Sequence, residues 1–283
     1  MVKGSEMATL VEIICVGNEL LIGKTLNTNA QWLARRITSL GLNVRRIMVV
    51  GDDVEEISGA ICETIQRSPK LLITTGGLGP TFDDKTLVGL AKALGCRLDI
   101  NDEALEMVEE KYRRYVEEGR MESVELTPHR VKMAKLPEGA KPLANPVGTA
   151  PGVSVELQEM SIIALPGVPS EMKAIFEESV LPVLKQAIGE VTFFDTSIEA
   201  TGVMESELAP VVDRVMCDNP YVYVKSHPKG EERIPRIEFH LSTTAENTKV
   251  ARNRVSKALV QLSEAIQEKG GEIKPVKAKM GHY

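Results

Sequence analysis

The segment TTGGLGPTFDDKT, Thr74 to Thr86, puts glycines at Gly76, Gly77 and Gly79 and two consecutive carboxylates at Asp83 and Asp84. Glycines in such a run leave backbone N–H groups free to line a concave anion nest where a strand passes into a helix. The plainer alternative is a tight turn in which Asp84 caps the helix that follows. A capped turn explains neither the density of glycines nor the second acid. Two carboxylates beside a phosphate nest repel the ligand unless a cation stands between them, and oxygen donors of this kind suit Mg²⁺ or a similar divalent ion.

Three other loops have the same character: Gly17-Asn18-Glu19, Gly51-Asp52-Asp53 and Pro166-Gly167-Val168-Pro169-Ser170. Each is richer in Gly, Asp or Pro than a connection requires. The run from Gly17 to Thr25 looks like a P-loop, but its glycines enclose five residues where GxxxxGK[ST] has four, and the enclosed Glu-Leu-Leu-Ile is bulky and acidic. Neither Lys70 to Thr75 nor Ser161 to Leu165 ends in a metal-holding Asp, which removes the second half of that machinery. No GxSxG elbow for a serine hydrolase is present.

These loops must be positioned by a scaffold, and the hydrophobic rhythm supplies one. Leu10 to Gly17 reads as a buried strand and Asn27 to Leu40 as a helix with Trp32, Leu33, Ile37 and Leu40 on one face. The pattern repeats as Leu42–Val50 strand, Val54–Ile65 helix, Lys70–Thr75 strand and Lys85–Leu94 helix. Parallel neighbours need crossover helices, so these units imply an α/β fold with a doubly wound, mostly parallel sheet. In such a sheet ligands bind outside the carboxyl ends of the strands, where all four loops converge. Asp102 to Arg120 reads as a solvated surface helix. A Pro/Gly-rich stretch from Leu136 to Gly152 precedes a short hairpin, VSVEL and SIIALPG, and a helix from Val168 to Ile188.

Beyond Gly189 the rhythm becomes strand, helix, strand, strand, long helix. The alternation of Ile237, Phe239 and Leu241 with Glu238, His240 and Ser242 implies a small α+β domain whose sheet has one wet face. The expected domains are 8–188 and 189–275, and the closing KPVKAKMGHY reads as a frayed tail.

The length of 283 residues agrees with about two domains. A net charge of -6 sets the whole-protein field against polyanions, so nucleic acid is not expected as a partner. No apolar run approaches the ~20 residues of a membrane span, and no membrane partner is expected. Cys15, Cys62, Cys96 and Cys217 lack CxxC pairing, and His129, His227, His240 and His282 lack HExxH spacing, which points to a reducing cytoplasm and no zinc site.

The set GNELLIGKTLNTNAQWLA (Gly17 to Ala34), VGDD (Val50 to Asp53), TTGGLGPTFDDKT (Thr74 to Thr86), NPVGTAPG (Asn145 to Gly152) and LPGVPSEM (Leu165 to Met172) resembles the CinA family within the molybdopterin-binding-domain superfamily. The resemblance implies a MoaB/MogA-like α/β domain followed by a KH-type βαββα domain, here without a GxxG. It further implies metal-dependent hydrolysis of the pyrophosphate of ADP-ribose or a related dinucleotide. The divalent metal would be Mg, Mn or Co, with K⁺ as an additional ion. Full-length members carry a nicotinamide mononucleotide amidase domain after these two, so a separately encoded amidase is an expected partner, beside a homodimeric state. The molybdopterin proteins themselves typically carry TGGTG and an Arg before the acid that aligns with Asp84, where this chain has Leu78 and Asp83.

Carried over residue by residue, the resemblance assigns catalysis to Asp52 and Asp84 and metal binding to Asp83 and Asp84. Substrate contacts fall on Gly17, Asn18, Glu19, Asn29, Thr75, Gly76, Gly77, Gly79, Pro80, Thr81, Pro166, Gly167 and Ser170. Glu19 and Asn29 are expected at a metal or ribose, against the alternative of helix capping by Asn27 to Asn29 and a buried Glu19 bonded to backbone. The rival to an enzyme is a non-catalytic molybdopterin- or nucleotide-binding protein in cofactor metabolism.

Overall fold

The computed structural model describes residues 10–188, 191–229 and 235–276. Positions 8 and 9 of the expected first domain, 189 and 190 at its boundary, and 277–283 of the expected tail lie outside the described residues. Contacts among the described residues divide the chain into two compact units. One holds Leu42–Ala187 with the residues up to Ile37, the other Thr38–Gly41 with the residues from Ile188 onward.

In the first unit the order is β1 (Leu10–Val16), α1 (Asn18–Leu21), α2 (Thr28–Ser39), β2 (Asn43–Val50), α3 (Val54–Arg67), β3 (Leu71–Thr75) and α4 (Thr86–Leu94). There follow β4 (Leu98–Ile100), α5 (Asp102–Glu117), α6 (Pro128–Lys132), β5 (Lys135–Pro137), β6 (Lys141–Leu143), β7 (Gly152–Leu157), β8 (Met160–Leu165), α7 (Pro169–Ile175) and α8 (Leu181–Ile188). Between α7 and α8 runs a π-turn, Phe176–Val180. Pro182 has no N–H to return to Glu178, which accounts for the break in a stretch whose periodicity implied one helix.

The sheet order is β2-β1-β3-β8-β7-β6, with the first four strands parallel and β7 and β6 antiparallel at one side. The fold is thus mixed α/β with a parallel-rich sheet. Ile13, Ile14, Leu72 and Ile73 are fully buried, as strands with both faces covered require. Among the described residues of this unit the buried acid is Glu12, held by Arg67, whose Nη2 lies 2.7 Å from Oε2. Registers pairing Val16 with Val50, Cys15 with Thr75 and Thr75 with Leu165 bring the carboxyl ends of β1, β2, β3 and β8 level. Every loop singled out in the sequence follows one of these four strands.

The second unit contains β9 (Thr192–Thr201), α9 (Glu205–Asp218), β10 (Val222–Pro228), β11 (Arg236–Ala245), α10 (Thr248–Glu268) and β12 (Glu272–Pro275). Its sheet is β10-β11-β9-β12, antiparallel throughout, over a core that includes Ile198, Leu208, Phe239, Leu241 and Leu262. Two expectations are corrected here. Lys274 and Pro275 pair with Glu199 and Ile198 and so belong to a strand rather than a frayed tail. Glu238, read as facing water, is only 6% exposed, because Lys229 and His240 close over its carboxylate. Among the described residues no helix is long and apolar enough to cross a membrane.

Candidate active site

The loop after β3 is shaped by its glycines. Gly76 has φ +106 and Gly77 φ +66, and a Cβ on Gly76 would stand 2.2 Å from the Val16 carbonyl oxygen. No L side chain fits there without moving β1. The loop is closed from the far side by Thr86 in the first turn of α4, which donates its hydroxyl to Gly76 O at 2.7 Å and its N–H to Gly77 O at 3.1 Å. The N–H of Gly76 is spent on Leu165 O at 3.0 Å, which corrects the expectation that it serves a ligand. The N–H groups of Gly77, Leu78 and Gly79 have no partner among the described residues, so the nest is formed by these three.

Asp84 does not cap α4; the residue at that position is Lys85, without a side-chain cap. Its Oδ2 instead accepts from Thr81 N at 2.8 Å and Thr81 Oγ1 at 2.5 Å. The same hydroxyl reaches Asp83 Oδ1 at 2.5 Å. One hydroxyl has one proton, so two carboxylates converge on a point where only one of them can accept at a time. The Thr81 hydrogen bond, with help from Asp83's own N–H, holds the Asp83 carboxyl below its ordinary range, and Lys132 and Lys85 add to the effect. Lys132 itself, on α6, donates to Thr81 O. Burial pushes its amine down from the usual range while Asp84 and Asp83 oppose that. On the same helix His129 Nδ1 lies 3.2 Å from Pro80 O. Neither residue was legible as part of the site: PHRVK is a single helical turn with no periodicity to flag it.

A second cluster joins the ends of β3 and β8 to α2. Thr75 donates its hydroxyl to Pro166 O at 2.9 Å, and Asn29 Nδ2 donates to Thr75 Oγ1 at 3.1 Å and Gly167 O at 2.8 Å. Gly167 lies so close to the loop that a Cβ on it would be 3.3 Å from Gly76 Cα. Asn29 Oδ1 is buried with no partner among the described residues. An orphan acceptor of this kind costs ~1 to 3 kcal/mol, which a ligand hydroxyl can recover. Asn29 is therefore no helix cap, a role taken by Asn27 through its bond to Ala30 N at 3.0 Å.

The third cluster ties β1 to β2. Asn18 N donates to Asp52 Oδ2 at 2.8 Å, and Asp52 N returns to Asn18 Oδ1 at 3.4 Å. The capping acid of α3 is the neighbour, Asp53, with Glu55 N at 2.9 Å and Glu56 N at 3.2 Å. Asp52 thus keeps Oδ1 without a partner among the described residues. Glu19 is exposed rather than buried, and its carboxylate folds over Gly17, where a Cβ would meet it at 2.5 Å. With β1 between β2 and β3, the Asp52 end stands about 10 Å from the glycine loop by strand spacing. Among the described residues no three His, Cys, Asp or Glu side chains come together as a metal cluster. Ser170 is exposed in the first turn of α7 and makes no bond there among the described residues.

A parallel-rich α/β sheet with a glycine loop, a converging acid pair and an orphan amide gathered at its carboxyl edge places the protein in the open-sheet α/β class, in which that edge is where ligands bind. Within that class, the family model described as a probable molybdopterin binding domain matches residues 12–186, and the chain belongs to that family. Similar proteins include one from Pyrobaculum arsenaticum, 47% identical over 260 residues, covering 92% of this chain and 95% of that protein. Another, from Sulfurisphaera tokodaii, is 44% identical over 263 residues, with coverages of 93% and 97%. The crystal structure of the protein CinA from Thermoplasma acidophilum matches with a TM-score of 0.56 and 41% identity, over 64% of this chain and 98% of that one.

Proposed function

We propose that the carboxyl edge of the first unit is the active site of a metal-dependent pyrophosphatase of the CinA type, cleaving the diphosphate of ADP-ribose or a related dinucleotide. The observation that carries the reading is the juxtaposition of free N–H groups at Gly77, Leu78 and Gly79 with the two carboxylates that converge on Thr81. A nest for phosphate beside two acids is self-defeating without a cation. Asp83 and Asp84 supply the hard oxygen donors that Mg²⁺ or Mn²⁺ takes from one or two carboxylates, the rest coming from phosphate and water. When bound, such an ion lends Lewis-acid polarisation of a phosphoryl oxygen.

The chain's own residues do the rest. The nest N–H groups hold the phosphoryl oxygens where charge builds as water attacks phosphorus and the bridging P–O bond breaks. Asp52 Oδ1 orients the attacking water and takes its proton, while Asn18 fixes that carboxylate by two hydrogen bonds. The buried Asn29 Oδ1 accepts from a ribose hydroxyl. Lys132, which donates to the Thr81 carbonyl, offsets part of the acid pair's charge. The second unit is read as KH-type and carries no part of this chemistry.

Lys132 also favours a second reading, a molybdopterin- or nucleotide-binding protein without turnover. Its amine stands beside Asp83 and Asp84 and neutralises part of their charge with no ion present. Calorimetric titration of ADP-ribose with Mg²⁺ and then with chelator separates the two. The enzyme reading expects binding to weaken sharply with chelator and AMP to accumulate without it. Unchanged affinity and no AMP favour the binding protein.

A further inference from the structure

The helix α5, which the sequence offers as a plain solvated surface, forms one wall of a cleft of about 270 Å³. The opposite wall is the loop of residues 144–151, and the charged side chains that line the cleft are Lys111, Arg114 and Glu110, a net of one positive charge. Lys111 Nζ donates to Pro146 O at 2.8 Å, leaving two ammonium protons uncommitted. Arg114 Nη2 is 3.6 Å from Glu110 Oε1, too long for a hydrogen bond, so its planar fork remains open.

The loop is preformed. Asn145 donates to Ala150 O and Glu171 Oε2, both at 2.7 Å, and its Oδ1 accepts from Val147 N at 3.1 Å and Gly148 N at 2.7 Å. A Cβ on Gly148 would collide with the Glu171 carboxylate at 2.0 Å. A chain of contacts links the cleft wall to the loop that carries the acid pair. Thr149 on its wall donates to Met133 Sδ at 3.8 Å, and the next residue back, Lys132, holds the Thr81 carbonyl. Two hydrogen bonds and one peptide unit therefore separate the cleft wall from the loop that carries Asp83 and Asp84.

We propose that this cleft is a subsite for a phosphate monoester on the ribose of the substrate, bound by Lys111 and Arg114, so that the substrate class is a dinucleotide bearing a third phosphate away from its diphosphate. The inference rests on the diphosphate reading above and deepens it. ADP-ribose and FAD are uncharged at both ends and leave these two cations unused, whereas a 2′- or 3′-phosphate on the adenosine ribose matches a guanidinium fork and an ammonium. Burial, and after it the neighbouring Arg114, hold the Lys111 amine below its ordinary range, with Glu118 and Glu171 opposing.

The test is equilibrium binding to the full chain of two matched pairs, NADP against NAD and coenzyme A against dephospho-coenzyme A. In the wild type one phosphorylated member should bind about 10-fold or more tightly than its partner. Lys111→Met and Arg114→Gln should each erase most of that preference, Lys111→Arg should restore it in part, and Asp84→Asn should keep it. Arg113→Gln, whose side chain pairs with Glu109 and does not line the cleft, should change nothing. Equal affinity within both pairs in the wild type overturns the subsite, as does an equal loss in Arg113→Gln. A preference that persists while Mg²⁺ elicits hydrolysis neither of any of the four nor of ADP-ribose overturns the pyrophosphatase reading and leaves the subsite standing.

Discussion

The edge of the first unit's sheet and the outer sheet face of the second both gather charged side chains, and they do opposite things with them. On the second unit, Glu238 is buried, but Lys229 and His240 close on it, His240 Nε2 at 3.1 Å, and His240 Nδ1 is met by Ser197 Oγ at 2.7 Å. Among the described residues the carboxylate meets its cations inside the cluster. At the edge of the first sheet, Asp83 and Asp84 converge on one hydroxyl proton, and among the described residues three N–H groups and Asn29 Oδ1 have no partner. Polar groups that satisfy one another hold a fold, whereas polar groups held in place yet unsatisfied await something from outside.

The sharpest way to break this contrast is Asp84→Asn. Removing one of the two converging charges deletes the cation's anchor and should lower turnover at least ~100-fold, since several kcal/mol of barrier depend on it. The thermal melt should stay near that of the wild type, because the amide keeps the bond from Thr81. A near-normal rate would remove Asp84 from the chemistry. The matched change on the other face, His240→Gln, should leave turnover unaltered, and a comparable loss there would abolish the distinction.

Gly77→Val probes the nest. At φ +66, with Thr86 Oγ1 at 2.4 Å from the added Cβ, the substitution should cost ~1 to 3 kcal/mol and abolish nucleotide binding. Calorimetry that finds unchanged affinity would reduce the loop to a connector.

A chain ended at Gly189 tests whether the second unit is dispensable. All the motif loops precede that point, so the truncated protein, folded by circular dichroism, should retain hydrolysis with the same metal dependence, and altered KM is the largest change expected. A folded truncate that binds no nucleotide would show that the second unit completes the pocket.

The smallest effect concerns Glu238. Its carboxyl is held below the usual carboxylate range by the hydrogen bond from Lys229, with His240 and His227 contributing, against the penalty of burial. A depressed native pKa stabilises the fold above the unfolded-state value of 4.5 and loses that contribution as pH falls through the lower native one. Glu238→Gln should therefore cost about 1 kcal/mol at neutral pH and less as the medium turns acid. Denaturant melts at pH 7 and pH 3 check it, and an equal cost at both would leave the ion pair without a role.

Much of the scaffold was legible because its signals are local. Buried apolar runs gave β1, β3 and β8, an apolar run that the structure leaves half-exposed at the sheet edge gave β2, and the strands' shared direction already placed four loops on one edge. β6 was hidden in a Pro/Gly-rich stretch because an edge strand tolerates Pro142 without needing its N–H. β12 has one inward apolar residue, Ile273, too little alternation to read as a strand. At the site, the glycines and acids announced themselves through density, but the free N–H groups did not. Which of Gly76, Gly77 and Gly79 keeps its donor depends on the carbonyl of Leu165, 89 positions beyond Gly76. Lys111 and Lys132 were invisible for the same reason: on their helices they are ordinary surface cations, and only tertiary packing turns them toward the loops.

The most direct test of the central claim is AMP release from ADP-ribose by the wild-type chain with Mg²⁺, Mn²⁺ or Co²⁺, beside the same chain in chelator and the Asp83→Asn, Asp84→Asn double variant. The account predicts AMP and ribose 5-phosphate in equal amounts with metal, and neither in chelator or from the variant. Release that persists in chelator and in the double variant would contradict it.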